Sequence, residues 1–308
     1  MYKKILIPLD GSELSELVIP YTIELAGRLN SEITFLIVCD KDDKQPISAS
    51  REYIMRIAGN VREQVNKKQD SAGTGEKTDT ITVNGELRTG YPAEEILEYV
   101  EENAVDLIVM TTHGYSGIKR WALGSTADKV LRKSAVPVLL VRAGTASAID
   151  FEKRKNDKII VFLDGSGFAE SVLDYVEAVC GDAAESTDIV LLRVAEIPDV
   201  PDYFPPNIPV TPEEFMREAE KHLKLFAQKY LSSVEKRLKE RGFQTSTVVL
   251  TGNPADEVLK YTMDQPGSLI AMSTHGRSGI TRWVYGSVAE RVVSEASNPI
   301  LLVRPVSP

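Results

Sequence analysis

Two stretches of this 308-residue chain gather the residue types that hold a small anion. Thr112–Ser125 reads THGYSGIKRWALGS and Thr274–Ser287 reads THGRSGITRWVYGS; ten of the fourteen positions are identical, at an offset of 162 (274 − 112). Nine residues separate Gly114 from Gly124, and nine separate Gly276 from Gly286. Glycine lets a ligand approach backbone N–H groups that a Cβ would shield. Each stretch leaves an apolar strand, DLIVMT or SLIAMS, and ends in Gly-Ser at the start of a helical pattern. The first turn of a helix offers unpaired N–H donors and the positive end of its dipole, which together favour a phosphate. Lys119, Arg120, Arg277 and Arg282 add mobile positive charge. A purely structural reading competes. Ser125 with Asp128, and Ser287 with Glu290, match the S-x-x-[DE] capping box, which accounts for Gly-Ser without a ligand. A helix end contributes roughly 0.3–2 kcal/mol, whereas micromolar affinity needs about 8 kcal/mol. Base and ribose contacts would have to supply the rest.

Asp10 and Asp164 are the candidates for the ribose contact. Each closes an apolar first strand in the sequence LDGS, and a carboxylate there accepts hydrogen bonds from ribose hydroxyls or supports a magnesium ion. The competing role is an Asx-turn or helix cap beside Gly11 or Gly165. His113 and His275 precede the first loop glycines, with no cysteine or carboxylate at ligand spacing, and read as structural hydrogen-bonding groups. His222 falls on the polar side of its helix, and Trp121 and Trp283 read as packing anchors. The chain contains no G-x-x-x-x-G-K-[ST] loop, no G-x-G-x-x-G after the first strand and no G-x-S-x-G elbow. No dedicated nucleophile or acid–base pair stands out, so no catalytic residue is assigned.

The elements that must position these residues are duplicated. KKILIPLDGSELSE is answered by DKIIVFLDGSGFAE, LRTGYPAEEILEYV by VLTGNPADEVLKYT, and VPVLLVR by NPILLVR. The offset grows from 154 (164 − 10) to 162, so the second copy is longer by eight residues, and the proline-rich IPDVPDYFPPNIPVTP is the insertion. The boundaries expected are 1–145 and 154–308, joined by a polar linker. Each half alternates apolar strands with helices, which predicts a mostly parallel sheet covered on both faces. A helix is expected from Glu13 to Leu29, with Pro20 inside it. The long helix from Glu213 to Glu240 places Met216, Leu223, Phe226, Tyr230, Val234 and Leu238 at core spacing. Net charge −9 argues against nucleic acid and anionic membrane as partners. Two cysteines without a CxxC pair, no signal-peptide pattern and no membrane-length apolar run predict a cytoplasmic protein.

On these residues the chain resembles the universal stress protein family, as a tandem of two domains covering nearly all of both halves. The family's ATP-binding motif is G-x2-G-x9-G-[ST]. Here Thr111-x2-Gly114-x9-Gly124-Ser125 and Ser273-x2-Gly276-x9-Gly286-Ser287 keep three of the four marked positions each. The first glycine is replaced by Thr111 and by Ser273. The resemblance implies two Rossmann-like (adenine nucleotide alpha hydrolase-like) domains, each a five-stranded parallel sheet of order 3-2-1-4-5. The nucleotide would lie in the crevice between the first and fourth strands. Asp10 and Asp164 would hold ribose, and Val38 and Val194 would lie against adenine. Gly114, Gly124, Ser125 and Thr126 would line the phosphates of the first site, and Gly276, Gly286, Ser287 and Val288 those of the second. Met110, Thr112, Met272 and Thr274 complete the implied contacts. Pro8 follows the family at the end of the first strand, whereas Phe162 departs from it.

The implied ligand is ATP, or AMP or ADP, with or without magnesium, in a stress-response regulator or sensor. A slow ATP hydrolase and a ligand-free interaction platform remain the alternatives. PVLLV and PILLV, each opened by proline and almost wholly apolar, read as edge strands that need a cover. Pairing them with each other would make the two halves an intramolecular pseudo-dimer. The resemblance points the same way, because single-domain members dimerise through this strand; a homodimer between chains is left open.

Overall fold

The computed structural model describes residues 2–41, 47–71, 81–112, 123–142, 157–197, 211–275 and 286–305. In the first half, strands β1 (Lys4–Leu9), β2 (Glu32–Cys39), β3 (Val83–Thr89), β4 (Leu107–Thr111) and β5 (Val138–Val141) alternate with helices. These are α1 (Glu13–Glu16), α2 (Ile19–Leu29), α3 (Ile47–Ser71), α4 (Pro92–Glu102) and α5 (Ser125–Lys133). The second half repeats the order with β6 (Asp157–Phe162), β7 (Thr187–Ala195), β8 (Gln244–Thr251), β9 (Leu269–Ser273) and β10 (Ile300–Val303). Its helices are α6 (Gly167–Glu170), α7 (Val172–Cys180), α8 (Pro212–Glu240), α9 (Pro254–Met263) and α10 (Ser287–Glu295).

The strands form one ten-stranded sheet in the order β3-β2-β1-β4-β5-β10-β9-β6-β7-β8. Each half therefore has the 3-2-1-4-5 order, and every pairing within a half is parallel. At the seam β5 and β10 run antiparallel, with Leu140 opposite Ile300, Leu139 opposite Leu301 and Val138 opposite Leu302. All eight residues of these two strands are buried. Alternate side chains serve opposite faces. Ile5 and Ile7 join one core layer with residues of α2, α3, α7 and α8, while Leu6 joins the other with residues of α4, α5, α9 and α10. Each layer contains residues of both halves, so the apolar core is continuous across the seam.

Two helical expectations change. The helix expected over residues 13–29 is two helices, and Pro20 lies in the first turn of α2, where its missing N–H has no intrahelical partner to lose. The second half breaks at the same place, between α6 and α7, without a proline. Pro20 thus fits the break rather than causing it. In α8 the buried positions are Ala227, Leu231, Val234 and Leu238. Phe226 is 67% exposed and Tyr230 only partly buried, so the apolar stripe meets the core along the C-terminal half of the helix.

Leu301 is 1% exposed and belongs to the continuous core. Leu301→Ala is expected to cost about 2–5 kcal/mol, the usual range for a buried leucine. Urea denaturation measures this directly, and a loss below about 0.5 kcal/mol would mean that the seam strand is not packed as described.

Candidate nucleotide site

In each half the chain steps outward from the first strand to the second and third, then returns to place the fourth on the other side. The first strand and the fourth therefore flank a switch point, the place where open α/β sheets hold ligands beyond the carboxyl ends of their strands. Both halves have a cavity there, of about 440 Å³ in the first and about 420 Å³ in the second. That is within the ordinary range for small-ligand sites, roughly 300–1,000 Å³.

The first cavity is walled by Pro8 and Leu9 of β1 with Asp10 just beyond it, Leu36 and Val38 of β2 with Asp40 just beyond it, and Met110 and Thr111 of β4 with Thr112 just beyond it. Gly124, Ser125, Thr126 and Ala127 close it from the start of α5. The second has Phe162 and Asp164, Glu196, Met272, Ser273, Thr274 and His275, with Gly286, Ser287, Val288 and Ala289 at the start of α10. Residues far apart in the sequence are thus brought together as the spacing anticipates, with one exception. Val194, the counterpart of Val38, is 3% exposed and sits in the core beneath the second cavity rather than on its wall. Gly114 and Gly276 lie outside the described residues, as do His113, Lys119, Arg120, Trp121, Arg277, Arg282 and Trp283.

The helix starts bear on the capping-box reading of Gly-Ser. Gly124 and Gly286 are themselves the N-cap residues, and neither α5 nor α10 has a side-chain cap. Ser125 and Ser287 are already the first helical residues, so the capping box does not form. Asp128 instead pairs with Arg132 one turn on, at 2.9 Å. Side-chain caps occur at Ser12 on α1, Ser166 on α6, Thr211 on α8 and Asn253 on α9, whereas α2, α4 and α7 also start without one. The two glycines are held by backbone. Gly124 N–H donates to the Thr112 carbonyl at 2.8 Å, and Gly286 N–H to that of Thr274 at 2.9 Å. The Thr112 and Thr274 N–H groups donate in turn to Val141 at 3.1 Å and Val303 at 2.9 Å.

Asp10 and Asp164 do form Asx-turns. Asp10 Oδ1 accepts from Ser12 N at 3.0 Å and Ser12 Oγ at 2.6 Å; Asp164 Oδ1 accepts from Ser166 N at 2.8 Å and Ser166 Oγ at 2.6 Å. Gly11 and Gly165 follow at φ +83° and +89°, a conformation suited to glycine. The turn fixes each carboxylate at the cavity wall. Ser273 also has a use: its Oγ accepts from His275 N at 3.3 Å, and His275 Nδ1 lies 2.9 Å from Thr274 Oγ1. The hydroxyl in place of glycine ties down the start of the loop.

A family model described as the universal stress protein family matches residues 1–142 and again 155–304. The chain belongs to the universal stress protein family. A universal stress protein of Methanocaldococcus jannaschii is 33% identical over 144 residues, 46% of this chain and 83% of that protein. One from Bacillus subtilis is 32% identical over 153 residues, again 46% of this chain but all of that protein. A solved universal stress protein from Archaeoglobus fulgidus, 20% identical, matches over 99% of both chains with a TM-score of 0.66, and so shares the fold at full length.

Sequence reading passed over several residues of this universal stress protein's cavities. Asp40 and Glu196 stand two residues beyond Val38 and Val194, paired carboxylates past equivalent strands. Pro92 and Pro254 open α4 and α9, and Asn253 lines the second cavity while its Oδ1 caps α9 through Ala255 N at 3.1 Å. The repeated GYPAEE and GNPADE carried that signal. Among the described residues, no cluster of three or more His, Cys, Asp or Glu is arranged to hold a metal ion, and no helix is long and apolar enough to cross a membrane.

Gly286 has φ −61°, which any residue adopts, and an added Cβ would meet only the Thr274 carbonyl at 3.6 Å among the described residues. Gly286→Ala should therefore cost no more than about 1 kcal/mol, the difference between the two residues as helix caps. Thermal melting of the variant checks this, and a collapse of the fold would show that the glycine is required by packing.

Proposed function

We propose that the protein binds an adenine nucleotide in each half, as a stress-response regulator or sensor whose occupancy follows the cell's nucleotide pool. The observation that carries this reading is the pair of helix starts whose N-cap is glycine, each opening into a switch-point cavity that also holds a fixed aspartate. Gly124, Ser125 and Thr126 would present N–H donors to phosphates in the first site, and Gly286, Ser287 and Val288 in the second, with Gly114 and Gly276 completing each loop. Asp10 and Asp164 would accept from ribose hydroxyls. Met110 and Val38 would supply apolar surface for the base in the first site. In the second, Met272 and Phe162 would take that part, with Val194 acting from beneath. Thr112 and Thr274 would set the height of the helix starts through their bonds to the glycines.

ATP, ADP and AMP share the groups that these residues would read. Magnesium, when it accompanies ATP, would come with the phosphates and be shared with a carboxylate such as Asp10. The halves, 1–145 and 154–308, would act as an intramolecular pseudo-dimer joined at the β5–β10 seam. No step of hydrolysis is assigned to any residue.

Calorimetric titration with ATP–magnesium and with AMP tests the reading, with saturable heat expected; no heat at high protein concentration would leave the interaction-platform alternative. Gly124→Val and Gly286→Val should each abolish binding at their own half while the fold persists. If both bind normally, the helix starts are not the cradle. Asp10→Asn keeps the acceptor that the Asx-turn needs but removes the charge. It should cost about 1.5–3 kcal/mol of affinity, the scale of one hydrogen bond to a charged group. Unchanged affinity in that variant would remove Asp10 from the ligand contacts.

A further inference from the structure

The helices that open the two cavities are gripped at their far ends by the opposite half. Arg142, the residue after β5, donates from its guanidinium to the Val293 carbonyl at 2.8 Å and also to the Ser294 carbonyl, both in the last turn of α10. Arg304, the residue after β10, donates to the Arg132 carbonyl at 3.3 Å in the last turn of α5. The contacts are reciprocal: 142 and 304 differ by 162, and so do 132 and 294. The last four carbonyls of a helix lack intrahelical partners and carry the negative end of its dipole, so a guanidinium there is favourable. Arg142 is half-buried. Burial holds its guanidinium below the usual arginine range, with Glu295 opposing that shift.

Each arginine follows a residue that is hydrogen-bonded to the wall of its own half's cavity. Val141 accepts from Thr112 N–H, and Thr112 accepts from Gly124 N–H at the start of α5. Val303 accepts from Thr274 N–H, and Thr274 accepts from Gly286 N–H at the start of α10. The bonds close a circuit: first cavity, β5, Arg142, α10, second cavity, β10, Arg304, α5, and the first cavity again. Helices α5 and α10 have nine residues each, and so short a rigid rod carries a displacement at one end to the other.

We propose that Arg142 and Arg304 are positioning residues acting in trans, each setting the phosphate-facing helix start of the opposite half and so coupling the two nucleotide sites across the seam. This rests on the nucleotide reading above. The coupling is reciprocal by thermodynamic necessity.

The full-length chain provides the test, with ATP–magnesium as probe. Gly124→Val leaves the second site to report alone, and Gly286→Val the first. Arg142→Gln should weaken ATP about tenfold in the Gly124→Val background and less than about twofold in the Gly286→Val background. Arg304→Gln should show the opposite preference, and Arg142→Lys, which keeps a cationic donor, should recover part of the loss. Equal weakening in both backgrounds, weakening of the variant's own half, or no effect overturns the proposal. Hydrogen exchange on the ligand-free chain separates this from failure of the nucleotide reading. Arg142→Gln should speed exchange in α10 but not α5, and Arg304→Gln the reverse. If no nucleotide binds, the nucleotide reading fails, and coupling between nucleotide sites falls with it. The exchange pattern then still reports whether the clamps hold the helices.

Discussion

The structure depends on the antiparallel pairing of β5 with β10. Both strands are apolar at every position, and either alone would be an open sheet edge with unpaired backbone groups. Set against each other, they remove two edges at once and merge two small cores into one that runs through both halves. The pairing also brings the residue after each strand to the end of the other half's cavity-facing helix, the contact on which the proposed coupling rests.

Much of this was readable from the sequence, because duplication repeats each signal. Four of the five strands of each half show as apolar runs, the edge strands β3 and β8 being more polar, and the 3-2-1-4-5 order followed from resemblance, since one sequence does not encode strand order in any local pattern. The break between α1 and α2 was less visible. Pro20 suggested it, yet the second half breaks at the same point without a proline, so the cause lies in how the short first helix follows the tight Gly11 and Gly165 turns. In α8 the buried face runs through Ala227, Leu231, Val234 and Leu238, and the larger Phe226 beside it emerged exposed, so apolar character alone misplaced the stripe.

The site was legible in its polar residues and less so in its walls. Asp10, Asp164, Gly124 and Gly286 announce themselves by type and position. The capping box, by contrast, matched in pattern and failed in geometry: the helix begins one residue earlier than the box requires, and Asp128 turns to Arg132 instead. Val194 shows the limit of carrying a wall residue between copies. It aligns with Val38, but Phe162 replaces Pro8 in the neighbouring strand, and the second cavity is lined without it. The two sites thus share backbone donors and carboxylates while differing in the surface offered to a base. A hydroxyl is also lost where Val288 stands for Thr126.

A crystal structure of the chain grown with ATP and magnesium tests the central claim most directly. The account predicts phosphate density within hydrogen-bonding distance of the Ser125 and Thr126 N–H groups, or of Ser287 and Val288, with ribose facing Asp10 or Asp164. Cavities holding only solvent under saturating nucleotide, or a nucleotide bound away from both helix starts, would contradict it.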